Sequence, residues 1–198
     1  MALVSMENFN VRHLPIVNNS QLLGVISEDD ILVHNINEPI GSYQLSLLHA
    51  FVKKSDHLYE VMRLLAEHQL TIVPVVDETG NYIGMVSLED VLNYFAKTAA
   101  FSDSGSIVVL EFQQHSYSLA EIARQVEAEG ASILSTFVTS HPESSVVEVT
   151  LKINRQDIRN IIASFERFGY VINASFNEEE YLESLQERYD ALMNYLNV

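Results

Sequence analysis

TIVPVVDETGNYIGMVSLEDVLNYF, residues 71–95, decides how the rest of this chain is read. A β-branched apolar run at 72–76 meets a turn rich in Asp, Thr and Gly at 77–81, and a second apolar run at 82–86 feeds a helix that opens at Ser87. Apolar runs split by turn residues predict strand, hairpin, strand, helix. The same pattern stands earlier, at 13–33, as HLPIVNNSQLLGVISEDDILV. Pro15 falls on Pro74, Val17 on Val76, Gly24 on Gly84, Ser27 on Ser87 and Asp30 on Asp90, with one extra residue in the second hairpin. Internal repetition fixes architecture. It predicts two stacked copies of one small unit.

Composition sets the outer limits. The chain has 198 residues, enough for one large domain or two ordinary ones. Apolar residues make up 47% of it, which supports a packed core and argues against global disorder. Cysteine is absent, so disulfides, thiol chemistry and Cys-based zinc sites are excluded. The formal net charge of −16 repels nucleic acid, whose binding rests on Lys and Arg meeting phosphates, and disfavours anionic membranes. No apolar run approaches the ~18 residues of a membrane span, and MALVSMENF lacks the basic start of a signal peptide. A soluble cytoplasmic protein is the default expectation.

Ahead of the first copy, Leu3, Met6 and Phe9 carry helical spacing, as Met62, Leu65 and His68 do ahead of the second. The first copy nevertheless starts late. Met1 aligns with Glu60, and nothing in it answers to 39–59, which in the second copy supply a leading strand at Phe51 and Val52 and a helix start at Ser55. The expectation is that roughly twenty residues of the first repeat are missing from the numbered chain.

Past a boundary at 98–106 the grammar changes. A strand at 107–112 precedes a helix opened by the capping-box pair Ser118 and Glu121, with Leu119, Ile122, Ala123 and Val126 on one face and Gly130 as its stop. Strands at 132–140 and 146–153 follow, then a helix with Ile158, Ile161, Ile162, Phe165 and Phe168 inward, ended by Gly169, and a last strand at 171–176. The order β-α-β-β-α-β predicts a ferredoxin-like unit, a four-stranded antiparallel sheet with two helices on one face. A final helix repeats Leu182, Leu185, Tyr189, Leu192 and Leu196, a coiled-coil-like seam that suits either its own domain or a partner helix. The fold class is therefore α+β, in four segments: first repeat 1–38, second repeat 39–98, ferredoxin-like domain 106–176, C-terminal amphipathic helix 177–198.

The stretches VRHLPIV with GVISEDDI, and TIVPVV with GMVSLEDV, resemble the CBS domain, whose tandem pair forms a Bateman module. Each carries an apolar-Pro-Val strand and a Gly-x-x-Ser-x-x-Asp turn, and they do so twice in register. Residues 106–176 resemble, with a weaker signature, an ACT domain, a small regulatory ferredoxin-like unit. Two CBS repeats followed by ACT is the layout of acetoin-utilisation B-type proteins. The resemblance implies a non-enzymatic regulatory sensor for an adenine nucleotide (AMP, ADP or ATP) or S-adenosylmethionine, with no required cofactor, and a homodimer. The ACT-like loop at 113–118 lacks the glycine usual in amino-acid-binding members, which favours dimerisation over amino-acid sensing.

The residues themselves suggest how a ligand would be held. Gly24 and Gly84 would let it approach strand backbone without a Cβ in the way. Ser27 and Ser87 stand at helix starts, where hydroxyls and first-turn N–H groups suit a phosphate. Asp30 and Asp90, one turn on, can accept from both hydroxyls of a ribose. Adenine would pair with backbone near Val11 to His13 or near Leu70 to Ile72, and Arg12 and His13 would meet phosphate in the first copy, where the second has the uncharged Thr71 and Ile72. Beside this stands a reading that needs no ligand, in which Ser27–Asp30 and Ser87–Asp90 are helix caps and the module is an assembly scaffold with vestigial pockets. The seven histidines show no metal-ligand spacing, and no catalytic motif is present.

Overall fold

A computed structural model describes residues 1–34, 39, 41, 48–140 and 144–176. The chain divides into two compact units, Met1–Phe95 and Ala96–Val198. The division falls a few residues ahead of the boundary expected at 98–106.

In the first unit, α1 (Ala2–Asn8) leads into the hairpin β1 (His13–Asn18) and β2 (Gln21–Ser27) and then α2 (Glu28–Leu32). The second copy runs β3 (Val52–Lys53), α3 (Leu58–Glu67), β4 (Ile72–Val76), β5 (Tyr82–Ser87) and α4 (Leu88–Ala96). Both hairpins are antiparallel and break register at corresponding places, between Ile16 and Val17 and between Val75 and Val76. The bulge leaves Leu23 and Ile83 exposed, and Gly24 or Gly84 follows it. Each glycine is thus part of a bulged strand, where a residue without Cβ eases the local bend.

The copies differ where the sequence says they should. The second sheet has three strands, with β3 parallel to β4, whereas among the described residues the first has β1 and β2, with Leu48 bridging Val25 of β2. Its helix start differs from expectation. His57 caps α3, its Nδ1 accepting the Tyr59 N–H at 3.2 Å, while Ser55 donates to Glu78 at 2.9 Å.

The two copies share one core. Val11 and Val25 of the first are buried with Val61, Leu64, Leu65, Leu70, Ile72, Val73 and Val91 of the second. Residues that correspond by the repeat also touch each other. Arg12 N–H donates to Thr71 Oγ1 at 2.9 Å, and Gln21 bridges Asn81. A contact between corresponding residues lies on a local two-fold relating the copies.

In the second unit, α5 (Ala99–Ser102) precedes β6 (Ser106–Gln113), α6 (Leu119–Ala128), β7 (Ile133–Ser140), β8 (Val146–Ile153), α7 (Arg159–Arg167) and β9 (Val171–Phe176). The sheet order β7-β8-β6-β9, antiparallel throughout, is the expected ferredoxin-like arrangement. Alternation in β8 buries Val147, Val149, Leu151 and Ile153 against Ile122, Val126, Ile161 and Phe165 of the helices. Two residues assigned inward from spacing are not so. Leu119 is 42% and Phe168 57% exposed, because each lies at a helix end where the chain is already turning off the sheet. The helix expected at 177–198 lies outside the described residues.

Four helices stop in the same way. After α1, α3, α6 and α7, the residues Asn10, Gln69, Gly130 and Gly169 take positive φ of 51°, 52°, 69° and 76°. The next N–H then reaches back to close the turn: Val11 to Met6, Leu70 to Leu65, Ala131 to Val126, and Tyr170 to Phe165, at 2.9–3.2 Å. This is the Schellman stop, and glycine is its natural residue because a Cβ there is strained. Gln69 pays that strain. Replacing it with glycine is expected to raise unfolding stability in urea by about 0.5–1 kcal/mol, the relief of strain outweighing added chain entropy. A loss of stability would show that the Gln69 side chain contributes more than its backbone conformation costs.

Candidate functional site

The two Ser-x-x-Asp motifs fold almost identically. Asp30 N–H donates to Ser27 Oγ at 3.0 Å, and Asp30 Oδ2 accepts from Ser27 N–H at 2.9 Å and from Ser27 Oγ–H at 2.6 Å. In the second copy the same three distances are 3.0, 2.8 and 2.6 Å between Ser87 and Asp90. These are complete capping boxes. The serine hydroxyl, then the serine N–H, holds each aspartate pKa below its ordinary value. Each carboxylate is therefore ionised near neutral pH, with Oδ2 spent on the cap and Oδ1 outside the box.

The helix starts are less open to phosphate than their sequence suggests. The Leu88 N–H donates to Thr71 O at 3.0 Å and the Glu28 N–H to Arg12 O at 2.8 Å. The Asp30 and Asp90 N–H groups are taken by serine, so two of the first three donors of each helix face protein. Arg12, assigned to phosphate from sequence, turns instead to the first turn of α2, its guanidinium lying 3.3 Å from both Glu28 and Asp29.

His13 likewise faces the other repeat. Its Nδ1 lies 3.0 Å from Thr71 Oγ1 and accepts the Thr71 N–H at 3.2 Å. Ile72 has no exposed surface and belongs to the core, so it is removed from the ligand set. Gly24 is buried and Gly84 half-buried, and neither borders the cavity described next.

That cavity, of about 300 Å³, is lined by Phe9, Asn10, Val11, Thr71, Ser87, Leu88, Glu89 and Leu92. It joins the Schellman turn after α1 in one repeat to the start of α4 in the other. Sequence reasoning grouped Val11 with Ser27 and Thr71 with Ser87; the structure brings Val11, Thr71 and Ser87 together. Phe9, Asn10, Leu88, Glu89 and Leu92 were missed, because repeat alignment compares the copies and does not show which ends meet. The exposure of Phe9, Leu88 and Leu92, at 63%, 45% and 63%, is the structural sign of an apolar wall. In the second unit the 113–118 loop contains a 3-10 turn at Gln114–Ser116, beside a cavity of about 340 Å³ bordered by Phe112, Gln113, Ser116, Phe168, Gly169 and Tyr170. Among the described residues no cluster of three metal-ligating side chains occurs, and no helix is long and apolar enough to cross a membrane.

Residues 1–36 and 49–97 match the CBS domain family. The first half of the chain is a CBS domain pair. By sequence it is 33% identical over 73 residues to a magnesium transporter of Thermus thermophilus, covering 37% of this chain and 16% of the transporter. It is also 33% identical over 92 residues to a homoserine O-acetyltransferase of Methanococcus vannielii, covering 42% and 18%. The chain thus spans less than a fifth of these curated relatives. Among solved structures, a CBS domain pair/ACT domain protein of Thermotoga maritima aligns at 27% identity with a TM-score of 0.42, over 48% of this chain and 78% of that one.

The His13 contact makes stability depend on pH. Burial, then the Arg12 guanidinium, lowers its pKa from the ordinary 6.5, against the opposing pull of Asp30 and Asp29. An N–H can only donate, so the ring must keep Nδ1 unprotonated to accept from Thr71. A folded pKa below the unfolded one means the contribution is complete above 6.5 and is lost as pH falls through and below that value. Thermal melts should show the parent losing more Tm between about pH 7.5 and about pH 5.5 than His13→Asn, which keeps an acceptor but does not titrate. Parallel slopes would mean that His13 protonation is not coupled to folding.

Proposed function

We propose that this chain is a regulatory module whose CBS pair senses an adenosine-containing ligand, with Asp90 holding ribose at the Ser87 cavity. The observation that carries the reading is the composite cavity itself. It opens between the two repeats, has an apolar wall in Phe9, Leu88 and Leu92, and takes in the first turn of α4, where Asp90, next in sequence to the lining residue Glu89, is ionised and keeps Oδ1 outside its cap. A ligand there touches both repeats, so its binding energy acts on their mutual packing. That is how a small module reports a metabolite.

The relatives fit a regulatory rather than a catalytic role. A magnesium transporter and a homoserine O-acetyltransferase share no chemistry, and likeness of this chain to a minor part of each suits a module added to unrelated activities. The ferredoxin-like unit is read as ACT-like, serving dimerisation or output, in a cytoplasmic homodimer of the acetoin-utilisation B type. An assembly module with vestigial pockets is the competing reading, favoured by the completeness of the Ser–Asp caps.

Thermal shift with adenosine, AMP, ATP and S-adenosylmethionine separates the two, read on the parent, Ser87→Ala and Asp90→Ala. Both variants should lose about 0.5–2 kcal/mol of stability with the cap. If Asp90 holds ribose, its loss should also weaken the ligand by roughly tenfold to a hundredfold, a charged hydrogen bond contributing about 1.5–3 kcal/mol, and the loss of Ser87, which only positions that carboxylate, should weaken it less. A parent whose Tm ignores every compound defeats the sensor reading in favour of the scaffold.

A further inference from the structure

We infer that the Ser87 cavity selects nucleosides whose 5′ group carries no negative charge and turns nucleoside phosphates away. This rests on the sensor reading above and adds the ligand class to it. Residues 1–95 carry four Lys or Arg side chains, Arg12, Lys53, Lys54 and Arg63, and none of them lines the cavity. Among the described residues the one ionisable group that lines it is the Glu89 carboxylate, and the ionised Asp90 follows in the same turn.

The usual ways of neutralising a phosphate are closed here. Arg12 reaches Thr71 through its backbone, but its guanidinium is held by Glu28 and Asp29. Arg63 is held by Glu60 and Glu67 within α3. Of the α4 first-turn donors that would cradle an anion, Leu88 N–H is bound to Thr71 O and Asp90 N–H to Ser87 Oγ. Ser87 Oγ–H points to Asp90 Oδ2 at 2.6 Å and is not available to donate outward. The rest of the lining among the described residues is uncharged: Phe9, Asn10, Val11, Thr71 and Leu92. A phosphate placed against this lining would lose water, meet the Glu89 carboxylate with the Asp90 charge one residue on, and find few donors. A thioether or a plain 5′-hydroxyl avoids all three costs, and a cationic 5′ group gains Glu89 as its counter-charge.

Isothermal titration of the full chain with adenosine, 5′-methylthioadenosine, AMP and ATP tests this at about 0.1 M and about 1 M NaCl. At the lower salt, adenosine and the thioether should bind at least about tenfold tighter than AMP. The gap should narrow at the higher salt, where screening weakens the repulsion. Glu89→Lys should shrink the adenosine-to-AMP ratio by about tenfold, and Glu89→Gln by less. AMP or ATP binding as tightly as adenosine in the parent overturns the inference and leaves the sensor reading standing, as does a ratio unmoved by both substitutions. If none of the four compounds binds, the sensor reading itself falls and this inference with it.

Discussion

Thr71 uses every polar atom it has, two to tie the repeats together and one to anchor the helix of its own repeat. Its N–H donates to His13 Nδ1, its hydroxyl accepts the Arg12 N–H, and its carbonyl accepts the Leu88 N–H that begins α4. Neither copy is large enough to bury its own apolar face, and the first has only a small cluster of its own around Met6, Ile26 and Ile31. Val11 and Val25 therefore complete the core of the second copy. Packing supplies the stability of that arrangement and the Thr71 contacts set its register, because a slip of either strand would leave several buried or half-buried donors and acceptors without partners. The cavity exists only because this register places the end of α1 opposite the start of α4.

Helix capping and ligand binding are often posed as alternatives, yet here they use different atoms of one carboxylate. Oδ2 of Asp90 closes the cap, which fixes the χ angles and keeps the group ionised; Oδ1 is left outside the box. A cap of this kind holds a side chain ready for a ligand at no further entropic cost on binding. The corresponding Asp30 is capped in the same way, but its surroundings differ. There Arg12 crosses to Glu28 and Asp29, and at the positions of those two acids the second copy has Leu88 and Glu89. Divergence of a few first-turn residues has given two similar frames unlike electrostatic settings.

The ferredoxin-like unit achieves its stability differently. Its core is its own, built from alternating residues of β6 and β8 under Ile122, Val126, Ile161 and Phe165. Its helices α6 and α7 end on Gly130 and Gly169, where α1 and α3 of the CBS pair end on Asn10 and Gln69. At Tyr170 the Schellman turn also carries its apolar contact, the ring packing on Phe165 at 5.6 Å and on Phe112 at 5.1 Å.

Much of this was legible in the sequence. The repeat, the hairpins, the βαββαβ order and the inward face of β8 follow from local pattern, because strand alternation and turn chemistry act over a few residues. The Ser–Asp caps are equally local. Which copy contributes which wall of the cavity is a different matter. Alignment placed Val11, Arg12 and His13 with Ser27 and Asp30, and Thr71 and Ile72 with Ser87 and Asp90, since it can only compare one copy with the other. Folding about a two-fold crosses them over: Val11 meets Ser87, His13 meets Thr71, and Ile72 goes into the core. The orientation of Arg12 was equally invisible, since a guanidinium is free to choose between a ligand and the carboxylates of α2 until the hairpin brings Glu28 and Asp29 within 3.3 Å of it. Sequence alone determined the parts and their caps; the tertiary structure decided which parts face each other, because that depends on burial shared between segments some sixty residues apart.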